Sequence, residues 1–346
     1  MRSDRPKRLR ASDTKNLKKT DMKNTKKFTW KTKKTGQSVY SIITNKVVEG
    51  LEKQGLNWFK PWSTNGNIQT PINYKSRVVY SGINYWLLNA AMWEHGYSSP
   101  EFITAKQAVE KNAIINEDAL EHIVVYYMVS YTYKKKWYPN EKALNNAGID
   151  KKDKGVISKP SPRFYRVYNI TDVTGLEPLA EAVKNKALEN TIFEPITGAE
   201  DIYTNMPKKP SLKHGGDKAY YKPSTHHIQM PTKKQFALKS GVSDDYYKTL
   251  FHEMVHSTGN EDLLNRSTLT GTASYASTKY SQEELVAEMG AMFLCGVLGL
   301  EPKDNITNSQ AYINGWIKHL KSKDNEKDVM FASSQARKAV EYILKK

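Results

Sequence analysis

Residues 246–260 read YYKTLFHEMVHSTGN, with two histidines four positions apart and a glutamate directly after the first. Tyr247, Leu250, Phe251, Met254 and Val255 recur at the three-and-four spacing that lays one apolar stripe along an α-helix. At about 100° per residue, His252 and His256 fall together on the other side, with Glu253 a little way round from them. Ser243 before Asp244 and Asp245 reads as an N-cap followed by an acidic first turn, and Gly259-Asn260 reads as the stop. Imidazoles one turn apart can both reach a single Zn²⁺ at about 2.0–2.1 Å. Glu253 then stands where it can take a proton from metal-bound water, which makes the pattern that of a metallohydrolase helix.

A hydrolytic zinc site takes three protein ligands and leaves one position for water, so a third ligand is sought downstream. YSQEELVAEMGAMFLCGVLGL, residues 280–300, is a second helical pattern, with Glu283, Glu284 and Glu288 as its polar members. Glu284 and Glu288 are one turn apart, so one can bind metal while the other hydrogen-bonds a ligand histidine. Glu284 is taken as the ligand and Glu288 as the support. The spacing also fits a capping box between Ser281 and Glu284. Tyr275 or Tyr280, in the stretch between the two helices, is the candidate donor to an oxyanion.

The H-E-x-x-H helix, the Glu284 that lies 28 residues after His256, and the preceding GGDKAYYKPSTHHIQMP (215–231) together resemble the zincin-like metallopeptidase domain of ArdC-type antirestriction proteins, which come from conjugative plasmids and other mobile genetic elements. In related zincins the downstream motif is Glu-x-x-x-Asp, and this chain has Glu288 in the Asp place. NWFKPW (57–62), PINYKSRVVYSGINYWLL (71–88), PEFITAKQA (100–108) and RFYRVYNITDVTGL (163–176) resemble the N-terminal domain of the same family. The resemblance implies an α+β protein of two domains. Residues 37–176 would bind single-stranded DNA, and residues 177–346 would hold a connector helix and a zincin-like peptidase domain. It further implies a protein that protects incoming DNA from restriction, with Zn²⁺, or Mn²⁺ in its place, as cofactor.

Charge points the same way. Of the formal +17 on 346 residues, residues 1–36 carry 14 Lys or Arg against 3 Asp. That tail has almost no apolar residues and is expected to be disordered and to attract phosphate without reading sequence, or else to serve as a solubilising or nuclear-import tail. In the first domain Trp58, Trp62, Tyr74, Tyr80, Tyr85, Trp86 and Trp93 lie among Lys60, Lys75 and Arg77, the mixture that holds single strands by stacking. Trp86 and Trp93 sit in a helical run and are expected in the core. Asn73 and Asn84 flank the turn into that run. Lys106 and Gln107, following the N-cap Thr104, face either phosphate or solvent.

HIVVYYMVSYTYKKKWYPN (122–140), a polar loop near 140–162 and the strand from Arg163 read as antiparallel pairing across a long basic insertion. Lys134, Lys135 and Lys136 form either a DNA-facing tip or a soluble loop. Residues 208–218 read as a loop and 219–231 as one strand, with His226 and His227 on opposite faces of it. The single cysteine, Cys295, is expected in the core; no apolar run suits a signal peptide or a membrane span, and a reducing cytoplasm is the expected address. The metal reading predicts attack of an activated water on a peptide carbonyl, with protein or the restriction machinery as target. The alternatives are a DNA-shielding protein with a structural or inactive metal site, and a protease that clears proteins from DNA.

Overall fold

The computed structural model describes residues 38–55, 58, 70–189, 198–240, 244–270, 278–300 and 306–346. The basic tail, Lys60, Trp62, Ser243 and Tyr275 lie outside them. The first half runs α1 (Val39–Gln54), β1 (Ile72–Asn73), α2 (Ile83–His95), β2 (Glu101–Ile103), α3 (Ala105–Glu110), β3 (Ile114–Ile115), β4 (His122–Tyr133), β5 (Lys136–Tyr138), α4 (Glu141–Asn145), β6 (Ile157–Asn169) and β7 (Val173–Thr174). Five of these strands form a sheet in the order β1-β2-β6-β4-β5, antiparallel except for β1 and β2, and β3 pairs antiparallel with β7.

The second half continues with α5 (Glu181–Leu188), α6 (Ala199–Asn205), β8 (Ser211–His214), β9 (Tyr220–Lys222), β10 (His227–Met230), α7 (Lys233–Ser240), α8 (Asp244–Thr258), α9 (Ser267–Thr270), α10 (Thr278–Leu298), α11 (Ile306–Leu320) and α12 (Asp328–Leu344). Its sheet has β10 between a parallel β8 and an antiparallel β9. The mixed α+β class expected from the sequence is the observed one.

The main core joins elements far apart in the chain. Ile43, Val47 and Leu51 of α1 are buried with Ile313 and Trp316 of α11 and Val329 and Val340 of α12. Tyr85 and Trp86 of α2 meet Phe293 of α10 with ring centroids 5.0 and 6.3 Å apart. The first helix therefore completes the helical layer behind α8 and α10. Cys295 is fully buried there. Among the described residues no helix is long and apolar enough to cross a membrane.

Several local expectations change. β6 begins at Ile157, not Arg163, and pairs with β4 along its length, from Thr132↔Ile157 to His122↔Val167. The start of β6 lies in the stretch expected as a polar loop and contains Pro160 and Pro162. They are two apart, so both missing donors point to the same side, the open edge away from β4, where a strand tolerates proline. Lys134 and Lys135 take the left-handed conformation and turn β4 tightly into β5. The segment 219–231 is a hairpin, because Pro223 opens a single 3₁₀ turn that puts His226 at φ 43° before β10 starts. Part of the expected loop 208–218 is β8, held by β10. Trp93, expected in the core, is 44% exposed.

His122 sits buried at the root of β4, its Nε2 2.9 Å from the Tyr97 hydroxyl, which donates to Asp172. Burial, and then the positive neighbours His95 and Lys46, push its pKa down to about 4. An unfolded histidine titrates near 6.5, so the unfolded chain binds the extra proton between those values. The stability due to neutral His122 is complete above about pH 6.5 and is lost as pH falls toward 4. Denaturant midpoints should thus drop between pH 7 and 5 by an amount equivalent to on the order of 2 kcal/mol. His122→Gln should remove most of that slope, and an unchanged slope would refute the assignment.

Candidate metal centre

α8 buries Tyr246, Leu250, Phe251, Met254 and Val255, so its stripe begins at Tyr246, with Tyr247 only half-buried. It lies against α10, and Gly290 allows the approach: a Cβ there would sit 2.7 Å from Val255 Cγ2. Two turns earlier on α10, Glu284 reaches the histidines of α8. His252 Nε2 and His256 Nε2 are 3.1 Å apart. Glu284 places Oε2 3.3 Å from the first and Oε1 3.5 Å from the second. Three ligands at about 2.0–2.1 Å in tetrahedral array around zinc are about 3.3–3.4 Å apart, so this triangle fits one ion. His252, His256 and Glu284 are the group of potential ligands found among the described residues.

Each histidine turns its other nitrogen to a separate carboxylate. His252 Nδ1 is 3.4 Å from Glu288 Oε2, and His256 Nδ1 is 3.2 Å from Glu283 Oε1. Such contacts fix ring orientation and tautomer so that Nε2 faces the centre. Each carboxylate is in turn held by a cation. Lys248 Nζ is 3.0 Å from Glu288. Arg266 approaches Glu283 with Nη2 at 2.6 Å and Nε at 3.1 Å, and Thr268 donates to the same carboxylate. Arg266 also donates to the Val255 carbonyl and the Thr258 hydroxyl, tying down the C-terminal turn of α8.

The electrostatics suit a cation. Burial alone would push Glu283 up, but hydrogen bonds from His256 and Arg266 and the Arg266 charge outweigh it and hold the group at about 2. Glu288 is likewise held at about 2 against its burial, by Lys248 and His252. Glu284 is lowered despite burial by both histidines and by a hydrogen bond from Tyr280. Glu253 is buried on α8 beside His252. Burial opposes a charge on His252, but hydrogen bonds and charge from Glu284 and Glu288 outweigh it and raise its pKa well above the ordinary histidine value, so the surroundings of the triangle favour positive charge there.

Glu284 stands in the triangle, and Glu288 lies beyond it against His252 Nδ1. The capping-box alternative does not occur, since Ser281 lies inside α10 rather than at its N-cap. Tyr280 is engaged by Glu284. His226 bonds Tyr221 and the Lys208 carbonyl, and His227 bonds Ser211, so neither joins the cluster. Glu283, Lys248 and Arg266 received no role from the sequence. Glu283 follows from helix phase once α8 and α10 are known to pack; Arg266, between the two motifs, gives no local signal.

The DNA-facing residues expected in the first half divide differently. Trp58 is 4% exposed and packed against Gly50, so its faces are closed to a base. Asn73 and Gln107 exchange amide hydrogen bonds, Asn73 also donates to Tyr80, and Gln107 completes a capping box with Thr104. Asn84 pairs both amide groups with the backbone of Val125, at 2.7 Å each. All four are thus packed or hydrogen-bonded within the fold. Tyr74 carries the Arg77 guanidinium over its ring at 5.0 Å. Lys75, which pairs with Glu110, and Lys106 are exposed.

An H-E-x-x-H helix crossed by a glutamate-bearing helix beside a small sheet defines the class of zincin-like metallopeptidases, and residues 199–335 match that family's model. Residues 37–168 match the model of the N-terminal domain of anti-restriction factor ArdC, so the chain carries matches to these two domain models in this order. The fold is similar to crystal structures of the antirestriction ArdC protein from plasmid R388. The TM-score is 0.64 for both the metal-free and Mn(II)-bound forms, at 23% and 24% identity, covering 89% of this chain and 97% and 98% of theirs. An uncharacterized protein of Sinorhizobium fredii, y4eC, is 27% identical over 91% of this chain and 94% of its own. Two Escherichia coli proteins named DNA primase TraC are 29% and 28% identical over 88% and 87% of this chain, which spans only 20% and 26% of their lengths.

Proposed function

We infer that the protein is an antirestriction factor of a mobile genetic element, acting in the cytoplasm of the cell that receives the DNA. Its first half binds single-stranded DNA, and its second half is a metal-dependent peptidase. The observation that carries the peptidase reading is the triangle of His252, His256 and Glu284 with Glu253 beside it. The R388 protein of the same fold is named for antirestriction and has been crystallised with Mn(II), and the TraC relatives are named as DNA primases. Both support a setting in which DNA is transferred.

A divalent ion held by His252, His256 and Glu284, zinc by the tetrahedral spacing or manganese, would polarise a water or a peptide carbonyl at the open position. Glu253 accepts the proton of the attacking water and returns it to the leaving amine. Glu288 and Glu283 keep both imidazoles presenting Nε2, and the buried Arg266 and the partly exposed Lys248 keep those carboxylates ionised. Substrate is protein bound to or acting on the incoming DNA, the restriction machinery included.

Glu253→Gln separates peptidase from shield, since it keeps the side chain's shape and removes the base. In a restricting host, this variant should fail to protect incoming unmodified DNA, while host proteins shortened by the unaltered chain stay intact. Full protection by the variant would favour a DNA coat with a structural metal site.

A further inference from the structure

β4 and β6 form a two-stranded ribbon that leaves the core at Tyr126 and Arg163, with β5 added at its far end. Directly paired residues share a face, as do alternate residues along each strand. One face is occupied on the way out: Val129, Tyr131 and Tyr133 pack with Tyr138 and with Leu144 of α4 in a small core of their own. The other begins in the interior with Val124, Tyr165 and Val167. It then emerges uncovered.

That open face carries Tyr126 opposite Arg163, Ser130 opposite Lys159, and Thr132 between Trp137 on β5 and Ile157 on β6. Tyr126 is 43% and Trp137 61% exposed. Six residues of strand separate the Tyr126 and Thr132 rows, roughly 20 Å. The three strand segments forming the face, 126–132, 136–138 and 157–163, contain no Asp or Glu. Between Tyr126 and Arg166 there are ten Lys or Arg and three acidic residues, more net charge than all of residues 37–346 carry together.

We propose that this face is the platform on which single-stranded nucleic acid lies, with Tyr126 and Trp137 stacking on bases and Arg163 and Lys159 on the intervening phosphates. It rests on the single-strand reading above and moves the contact from the residues around Asn73 to the ribbon. An open sheet face with rings spaced among cations is how single strands are held without sequence preference. A duplex offers the cations its phosphates but hides the faces the rings need. The positive charge and the absence of carboxylates select a polyanion, and the two exposed rings select one with unpaired bases.

The test is fluorescence anisotropy of the full chain with a labelled oligothymidylate at about 0.3 M salt, where attraction to the basic tail is strongly reduced. Trp137→Ala and Tyr126→Ala should each weaken binding by roughly tenfold to a hundredfold. Trp137→Phe should recover most of the loss, and duplex affinity should change little. Lys159→Glu with Arg163→Glu should weaken both. All four side chains are partly or well exposed, so thermal melting should show the fold retained. If the unaltered chain binds no single strand, the single-strand reading itself fails. If it binds and both alanine variants bind equally well, the reading stands and the ribbon is not the platform. Loss of polyglutamate binding but not of oligothymidylate binding in Lys159→Glu with Arg163→Glu would make the face a site for acidic protein and overturn the proposal.

Discussion

Replacing Arg266 by alanine is expected to cost the fold about 3–5 kcal/mol, the range for breaking a buried ion pair from one side. Arg266 is 3% exposed and has Glu283, the Thr258 hydroxyl and the Val255 carbonyl around its guanidinium. Without it Glu283 keeps a buried charge with only His256 and Thr268 for partners, and the last turn of α8 loses its donors. Urea unfolding of Arg266→Ala should show the shift, and Arg266→Lys should recover only part of it, since an ammonium cannot make the forked contact. Arg266→Met combined with Glu283→Gln should be more stable than Arg266→Ala, because the stranded charge is then gone. Lys248→Ala should cost less, because the Lys248 side chain is partly exposed and makes a single contact with Glu288. A loss under about 1 kcal/mol in Arg266→Ala would mean that water replaces the guanidinium.

The two helices of the metal centre were legible because each declares itself within a few turns. α8 has an apolar stripe opposite its histidines, and α10 has two carboxylates one turn apart above a long apolar run. What closes the site was not legible, because it depends on contacts between segments that share no local pattern. Arg266 sits in the connection after α8, and its role exists only because Gly259 leaves room for the guanidinium, 2.8 Å from where a Cβ would be. The first half misled for a related reason. Asn73, Tyr80, Asn84 and Gln107 are polar groups beside aromatics, which reads as a wet surface, but their partners are one another and the β4 backbone. A side chain whose polar partner lies dozens of residues away cannot be recognised as satisfied from its neighbours in sequence. The pairing of β4 with β6 was read, but its outer part was missed because residues 140–162 read as a polar loop, and the place of α1 is set by helices at the opposite end of the chain.

The largest effect on metal should come from Glu284. In Glu284→Ala, as in His252→Ala and His256→Ala, stoichiometric zinc should be lost, read by elemental analysis of the full chain after equilibration in a zinc-buffered solution. Two of the three vertices remain in each case, and a divalent ion in a two-ligand site exchanges readily with water and buffer. Glu288→Ala removes no vertex. It frees His252 Nδ1 and strands Lys248, so the ring loses its orientation and some basicity, at an expected cost of about tenfold to a hundredfold in affinity with stoichiometry retained at high zinc. Glu283→Gln, which keeps an acceptor for His256 Nδ1, should cost less again. Glu284 stands above the other two because one carboxylate spans both Nε2 atoms while the others each meet one Nδ1, and Glu283→Gln ranks below Glu288→Ala because the amide still accepts from the imidazole. Loss of stoichiometric metal in Glu288→Ala with retention in Glu284→Ala would mean that α10 is turned in solution so that the two carboxylates exchange places.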